Sequence, residues 1–370
     1  MTLFDGITSR VIDTDRLAVG ILERSGDDPA TPPERTVVLI HGNVSSSLFW
    51  QELMQDLPGD LRVIAIDLRG FGSSEHAPVD ATRGVRDFSD DVHATLEALS
   101  IPTAHLVGWS MGGGVVMQYA IDRPVLSLTL QAPVSPYGFG GTRRDGTRLT
   151  DDDAGCGGGG ANPDFVQRLT DRDTSDDAPT SPRSVFRSGY VSAGYTSPHE
   201  DVWVESMLTT STATGNYPGD GVASDNWPGF AAGSTGVLNT MAPRYFSTAA
   251  IVEISPKPPI LWVHGTADAI VSDASFYDLN HLGAVGVIPG WPGAEVAPAQ
   301  EMVSQTRDVL ESYRAAGGAV TELALEGVGH APHLERPAEV RRALLAVIGY
   351  IGQPASPAPP TEAIIISSSD

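Results

Sequence analysis

Ser110 lies in Gly108-Trp109-Ser110-Met111-Gly112, a G-x-S-x-G pattern. The apolar run Ala104–Val107 precedes it, and Gly113-Gly114-Val115-Val116-Met117 follows as the start of a helix. A strand–turn–helix of this kind lifts a serine hydroxyl above a sheet. It also directs the next residue's N–H, here that of Met111, at a developing oxyanion. The turn leaves no room for bulk two residues to either side, so Gly108 and Gly112 are the residues it requires. The chemistry this permits is nucleophilic attack on a carbonyl.

A serine hydroxyl is a weak nucleophile near neutral pH. It needs a base, and the base needs an acid to orient it. With an elbow of this type the acid should follow the serine in the chain and the histidine should come last. Asp268 lies in His264-Gly265-Thr266-Ala267-Asp268-Ala269-Ile270-Val271, after a run expected to be a strand. His330 lies in Gly327-Val328-Gly329-His330-Ala331-Pro332, after another. Both therefore belong to loops at strand ends, in the right order. Asp273 competes for the acid role, and Asp268 has a structural alternative as cap of a helix expected near Ser272. His333 competes with His330 but lies nearer the following helix, whereas Gly329 and Pro332 put His330 in the loop. His41 and His264 each precede a glycine at a strand end and are expected to orient loops. His76, His93, His105, His199 and His281 show no metal-ligand spacing, so no metal and no cofactor is expected. The second oxyanion donor is expected from the backbone of Asn43, in His41-Gly42-Asn43-Val44. One such donor typically contributes ~3 kcal/mol to transition-state stabilisation.

These residues need a scaffold, and the composition permits a large one. The chain has 370 residues, 41% of them hydrophobic, enough for one α/β domain with a sizeable insertion. Lys and Arg total 23 against 46 Asp and Glu, a net charge of −23 that argues against nucleic-acid and anionic-membrane partners. Cys156 is the single cysteine, so no internal disulfide is possible. The sequence shows neither a signal-peptide pattern nor an apolar stretch near the ~20 residues of a membrane span, and a cytoplasmic location is expected.

Strands are expected near 7–13, 17–23, 36–40, 62–66, 104–108, 125–131, 259–263 and 320–325. Helices are expected near 47–57, 85–99, 112–122 and 337–351. Their alternation predicts a mostly parallel sheet covered by helices on both faces. Residues 136–255 break the rhythm with Gly, Asp, Ser, Thr and Pro. As an insertion between two core strands, they fall at the strands' carboxyl ends, where ligands bind in open α/β sheets. The expected organisation is a core over 1–135 and 256–352, a cap over 136–255, and a disordered tail over 353–370.

His41-Gly42-Asn43, Asp67-Leu68-Arg69-Gly70-Phe71-Gly72, the serine motif, His264-Gly265-Thr266-Ala267-Asp268 and Gly329-His330-Ala331-Pro332-His333-Leu334-Glu335-Arg336-Pro337 together resemble the α/β-hydrolase superfamily. The resemblance covers roughly residues 15–135 and 255–350. It implies an eight-stranded sheet with a cap domain over the catalytic face. It also implies Ser110 as nucleophile, His330 as base, Asp268 as acid, and Asn43 with Met111 as oxyanion donors. The chain departs from the family in a long spacing between acid and base. The excess falls near 281–300, around Gly290-Trp291-Pro292-Gly293, and is expected to line or gate the entrance. Trp109 and Trp291 are accordingly candidate pocket residues. Cap aromatics such as Tyr190, Trp203 and Tyr217 are expected mainly in the cap's own core. Gly155-Cys156-Gly157-Gly158-Gly159-Gly160 satisfies a G-x-G-x-x-G pattern but follows no strand. It is expected to be a flexible loop with Cys156 exposed.

The resulting expectation is a serine hydrolase acting on a small-molecule carboxylic ester or lactone through a covalent acyl-enzyme. Amidase, carbon–carbon bond hydrolase, perhydrolase and acyltransferase chemistries use the same triad. A non-catalytic small-molecule receptor with this fold is the alternative of a different class. A serine at 110 argues against haloalkane dehalogenase and epoxide hydrolase chemistry, whose enzymes carry aspartate there. Homodimer formation is left open.

Overall fold

In the computed structural model, which describes residues 1–350, eight strands form one sheet. They are β1 (Ile7–Asp13), β2 (Ala18–Arg24), β3 (Thr36–Ile40), β4 (Arg62–Ile66), β5 (His105–Trp109), β6 (Ser127–Gln131), β9 (Ile260–Gly265) and β10 (Val320–Leu325). Between β6 and β9 a separate two-stranded hairpin, β7 (Gly221–Ala223) with β8 (Phe230–Ala232), belongs to the inserted block. The order across the main sheet is β1-β2-β4-β3-β5-β6-β9-β10. From β4 to β10 every pairing is parallel, while β1 and β2 form an antiparallel hairpin at one edge. This is the mostly parallel, eight-stranded sheet expected from the sequence. The strands β3 to β6 are buried along their whole length, as strands covered on both faces should be.

The helix Arg86–Ala98 turns Phe88, Val92 and Leu96 to the core. It also buries Asp87 and Asp91, which hydrophobic spacing does not foreshadow. Both carboxylates serve Arg69, whose guanidinium grips Asp91 through two bonds of 2.5 and 2.7 Å. Asp67 accepts the N–H groups of Ser47 and Ser73 at 2.7 and 2.8 Å. The Asp67–Gly72 motif thus pins the β4 loop to its neighbours. That motif is a structural device.

Residues 136–255 contain the short helices Pro163–Thr170, Pro182–Val185 and Glu200–Met207, a π-helical turn at Phe186–Tyr190, and the β7–β8 hairpin. They lie against loops at the carboxyl ends of β3 and β4. Ser206 meets Ser46 at 2.6 Å, Thr209 accepts the Gly72 N–H, and Ser211 N–H reaches Gly70. A small apolar cluster of Cys156, Ala232 and Ala242 lies within the block, but most of its large apolar side chains pack elsewhere. Phe186, Tyr190, Trp203 and Met207 share one buried cluster with Phe49 and Trp109 of the sheet domain.

The helix expected near Ser272 is absent. Residues 266–278 form turns, and the helix here is Leu279–Ala284, capped by Asp278. One Asp278 oxygen accepts the Asn280 N–H and the other the Gln300 N–H at 2.8 Å, so a single buried carboxylate closes both ends of the 279–300 excursion. The tail expected over 353–370 lies outside the described residues. No helix among the described residues is long and apolar enough to cross a membrane.

Candidate active site

β5 ends at Trp109 and a helix begins at Met111, leaving Ser110 alone on the turn between them. Its backbone is left-handed, with φ 56° and ψ −122°. Such strain costs about 1–3 kcal/mol and persists only where surroundings over-determine it. Here they do: the Ser110 N–H donates to Gln131, and the Ser110 carbonyl accepts from Gly113 and Val134. A Cβ on Gly108 would strike the Gly112 carbonyl, and one on Gly112 would lie 2.5 Å from the Ile40 carbonyl. The elbow glycines are required by contact with backbone that cannot move.

Asp268 and His330, 62 residues apart in sequence, meet in a buried hydrogen bond of 2.8 Å between His330 Nδ1 and Asp268 Oδ2. Asp268 Oδ1 accepts the N–H groups of Ile270 and Val271 at 2.7 and 2.9 Å. The carboxylate is therefore aimed by its own turn rather than by a helix. Because it accepts from Nδ1, it fixes the tautomer with Nε2 unprotonated and available. Neither His330 Nε2 nor Ser110 Oγ has a hydrogen-bond partner among the described residues. The rivals are occupied elsewhere. Asp273 accepts from Val303 and Ser304 at the start of the helix Met302–Ala315. His333 is sealed between Trp50 and Trp109, at ring distances of 4.4 and 5.0 Å. Burial pushes its imidazole down to about 3.

The Asn43 loop is held from three sides. Leu68 N–H donates to His41 Nε2 at 2.9 Å, so the His41 proton is on Nδ1, which donates to the Gly42 carbonyl at 2.7 Å. Ser45 Oγ donates to the same carbonyl. Fixing that carbonyl fixes the peptide plane carrying the Asn43 N–H. Burial holds the His41 imidazole down at about 4, so it stays neutral. Gly42 abuts Ser110: a Cβ there would lie 2.8 Å from Ser110 Cβ. The amides of Asn43 and Met111 have no acceptor among the described residues. His264 instead pairs with Glu322 on the neighbouring strand at 2.9 Å.

The expectations for Trp109 and Cys156 require correction. Trp109 is fully buried, and its indole N–H donates to the His330 carbonyl at 2.6 Å, so it supports the histidine loop instead of presenting a pocket wall. Trp291 donates to the Ala297 carbonyl and faces Gly283 beside Trp227, within the excursion where the sequence puts it. Cys156 is buried, and burial raises its thiol well above the usual range. Its glycine loop packs on Phe230 and Asn239. Two further contributors have no role that the sequence alone assigns. Glu335 binds the Gly329 N–H at 2.8 Å, next to His330, and Tyr190 reaches the Asn43 loop from the inserted block. Neither has a spacing that sets it apart from ordinary surface or core residues.

The sheet order, the strained serine after β5 and the acid and histidine after β9 and β10 define an α/β-hydrolase architecture. Residues 35–152 match the family described as the alpha/beta hydrolase fold. The match spans about a third of the chain, and the fold of the whole is that of the α/β hydrolases. It is 37% identical over 116 residues to a 2-hydroxymuconate semialdehyde hydrolase of Pseudomonas sp. (strain CF600), a match covering 30% of this chain and 40% of that protein. It is 39% identical over 107 residues to the dihydrolipoyllysine-residue acetyltransferase component of the acetoin cleaving system of Cupriavidus necator. That match covers 28% of this chain and 27% of the relative. The chain thus spans well under half the length of these curated relatives. Among solved structures, the esterase RhEst1 from Rhodococcus sp. ECU1013 superposes with a TM-score of 0.54 at 19% identity. It covers 94% of this chain and 100% of its own, a likeness of fold.

Proposed function

We propose that this protein is a serine hydrolase that cleaves a carboxylic ester or lactone through an acyl-enzyme, with residues 136–255 as a cap over the catalytic face. The observation that carries the reading is the buried 2.8 Å bond from His330 Nδ1 to Asp268, in a site with a strained Ser110 and two free backbone amides. In this reading His330 Nε2 takes the Ser110 proton as the hydroxyl oxygen attacks the carbonyl carbon. Bonds of this kind often tighten only around bound substrate. Asp268 stabilises the imidazolium, and the Asn43 and Met111 amides hold the tetrahedral oxyanion. His330 returns the proton to the departing alcohol. Water activated by the same imidazole then releases the acid.

The matched stretch of the semialdehyde hydrolase lies within less than half of that protein's length, so its substrate does not transfer. Structural neighbours titled as esterases favour the ester reading at the level of fold. Ser110→Ala is expected to lower turnover of a p-nitrophenyl ester by on the order of 10⁶. Near-wild-type hydrolysis by the folded variant would overturn the assignment.

A further inference from the structure

Tyr190 closes the π-helical turn of the inserted block, distant in sequence from both loops that carry the proposed chemistry. Its hydroxyl lies 3.0 Å from the Asn43 carbonyl and 3.1 Å from that of Val44, so one phenolic proton serves two acceptors in the oxyanion loop. Burial raises the phenol well above its usual value, so it remains a donor. Its ring meets His330 edge-on, with centroids 6.2 Å apart at 88°, and Trp109 at 5.6 Å and 72°.

The residues that follow extend this contact. Ser192 donates both its N–H, at 3.1 Å, and its hydroxyl to one oxygen of Glu335. The other Glu335 oxygen accepts from Gly329. The Ser192 nitrogen would lie 2.6 Å from a Cβ on Gly329, so the inserted chain rests directly on the histidine loop. The oxyanion loop needs such an anchor. Val44 has a φ of 45°, a region a β-branched residue rarely adopts, and the carbonyls at 43 and 44 are the groups that would swing if the turn relaxed.

We infer that Tyr190 is a positioning residue for the proposed reaction: its hydroxyl sets the Asn43 loop while its ring, held down through Ser192 and Glu335, sets the face of His330. One residue of the inserted block thereby couples the oxyanion donors to the base. The inference rests on the serine-hydrolase reading, and its test separates the two.

The test is the rate at which a fluorophosphonate phosphonylates the full-length protein, compared among wild type, Ser110→Ala, Tyr190→Phe and Glu335→Gln, with melting temperatures measured alongside. Phosphonylation requires the nucleophile, the base and the oxyanion donors, but no knowledge of the natural substrate. Ser110→Ala is expected to remain unlabelled. Tyr190→Phe keeps the ring and loses the anchor, so labelling should slow about tenfold with an unchanged pH midpoint. On p-nitrophenyl acetate it should lower kcat per active site, with sites counted by saturating fluorophosphonate, and leave KM within about twofold; counting the sites removes any fall in rate due only to loss of folded protein. A folded Tyr190→Phe that labels at the wild-type rate overturns the inference and leaves the role of Ser110 intact. Labelling of Ser110→Ala overturns the underlying reading. If Tyr190→Phe does not fold, Glu335→Gln loosens the same segment at its other end. It should slow labelling several-fold, and a wild-type rate in that variant overturns the inference.

Discussion

The indole N–H of Trp109 donates to the backbone carbonyl of His330 across 2.6 Å, joining the residue beside the proposed nucleophile to the proposed base. Two loops 221 residues apart are thereby held at one height above the sheet. Trp109→Phe retains most of the ring packing against Phe49 and Tyr190 but leaves a buried carbonyl unpaired, at a cost of about 1–3 kcal/mol. The expected outcome is a lower melting temperature and a kcat about tenfold below wild type with KM preserved. A variant with wild-type kcat would show that the indole does not position His330.

Asp268→Asn tests the tautomer. The Ile270 and Val271 N–H groups require an acceptor, so they should take the asparagine carbonyl and turn its NH₂ toward His330 Nδ1. The imidazole would then carry its proton on Nε2 and could not accept the one on Ser110. A fall in kcat of about 10⁴ is expected, as is typical of this exchange in a serine triad. Steady-state kinetics on a fold-checked sample measures it, and a loss below about tenfold would remove Asp268 from the role.

Gly42→Ala addresses the proposed oxyanion loop. The added methyl would press on Ser110 Cβ at 2.8 Å, and neither backbone can retreat, one being held by His41 and Ser45 and the other by Gln131. Displacement of the Asn43 amide should lower kcat by about 10² or more. The pH midpoint should not move, because the Asp268–His330 pair is untouched.

The two buried histidines predict an acid-side loss of stability. His41 and His333 are held down at about 4 and about 3 by burial, against an ordinary value of 6.5. The unfolded chain therefore takes up protons near pH 6.5 that the folded chain refuses. Their contribution is complete above about pH 6.5, shrinks as the pH falls below it, and is fully lost only near the folded values. Together it amounts to about a few kcal/mol. His333→Leu removes two buried nitrogens that lack partners, so this variant should match or exceed wild-type stability at pH 7. Its melting temperature should depend less steeply on pH between 6.5 and 4.5, and hydrolysis should survive. An unchanged slope would exclude His333 as a contributor.

Much of this was legible in the residues, for reasons that are local. A continuous apolar run marks a strand buried on both faces, so β3 and β4 fall where the pattern puts them; the edge strands β1 and β10 also match, and the remaining strands differ by a few residues at their ends. The elbow is legible because steric limits at Gly108 and Gly112 arise within one turn. Cys156 and Trp109 depart from the expectation for the opposite reason. Whether a glycine loop is packed, or an aromatic faces a pocket, depends on segments that arrive from elsewhere in the chain.

The sequence by itself determined the parallel sheet, the strained serine and the order in which Ser110, Asp268 and His330 appear, because short-range sterics and hydrophobic period encode them. Only the tertiary structure decided that His330 and not His333 meets Asp268, that Asp273 caps a helix instead, and that Tyr190 spans from the inserted block to both loops. Those outcomes depend on which hydrogen-bond partners remain free once distant segments pack. Such a competition is settled among all neighbours at once and leaves no spacing behind in the chain.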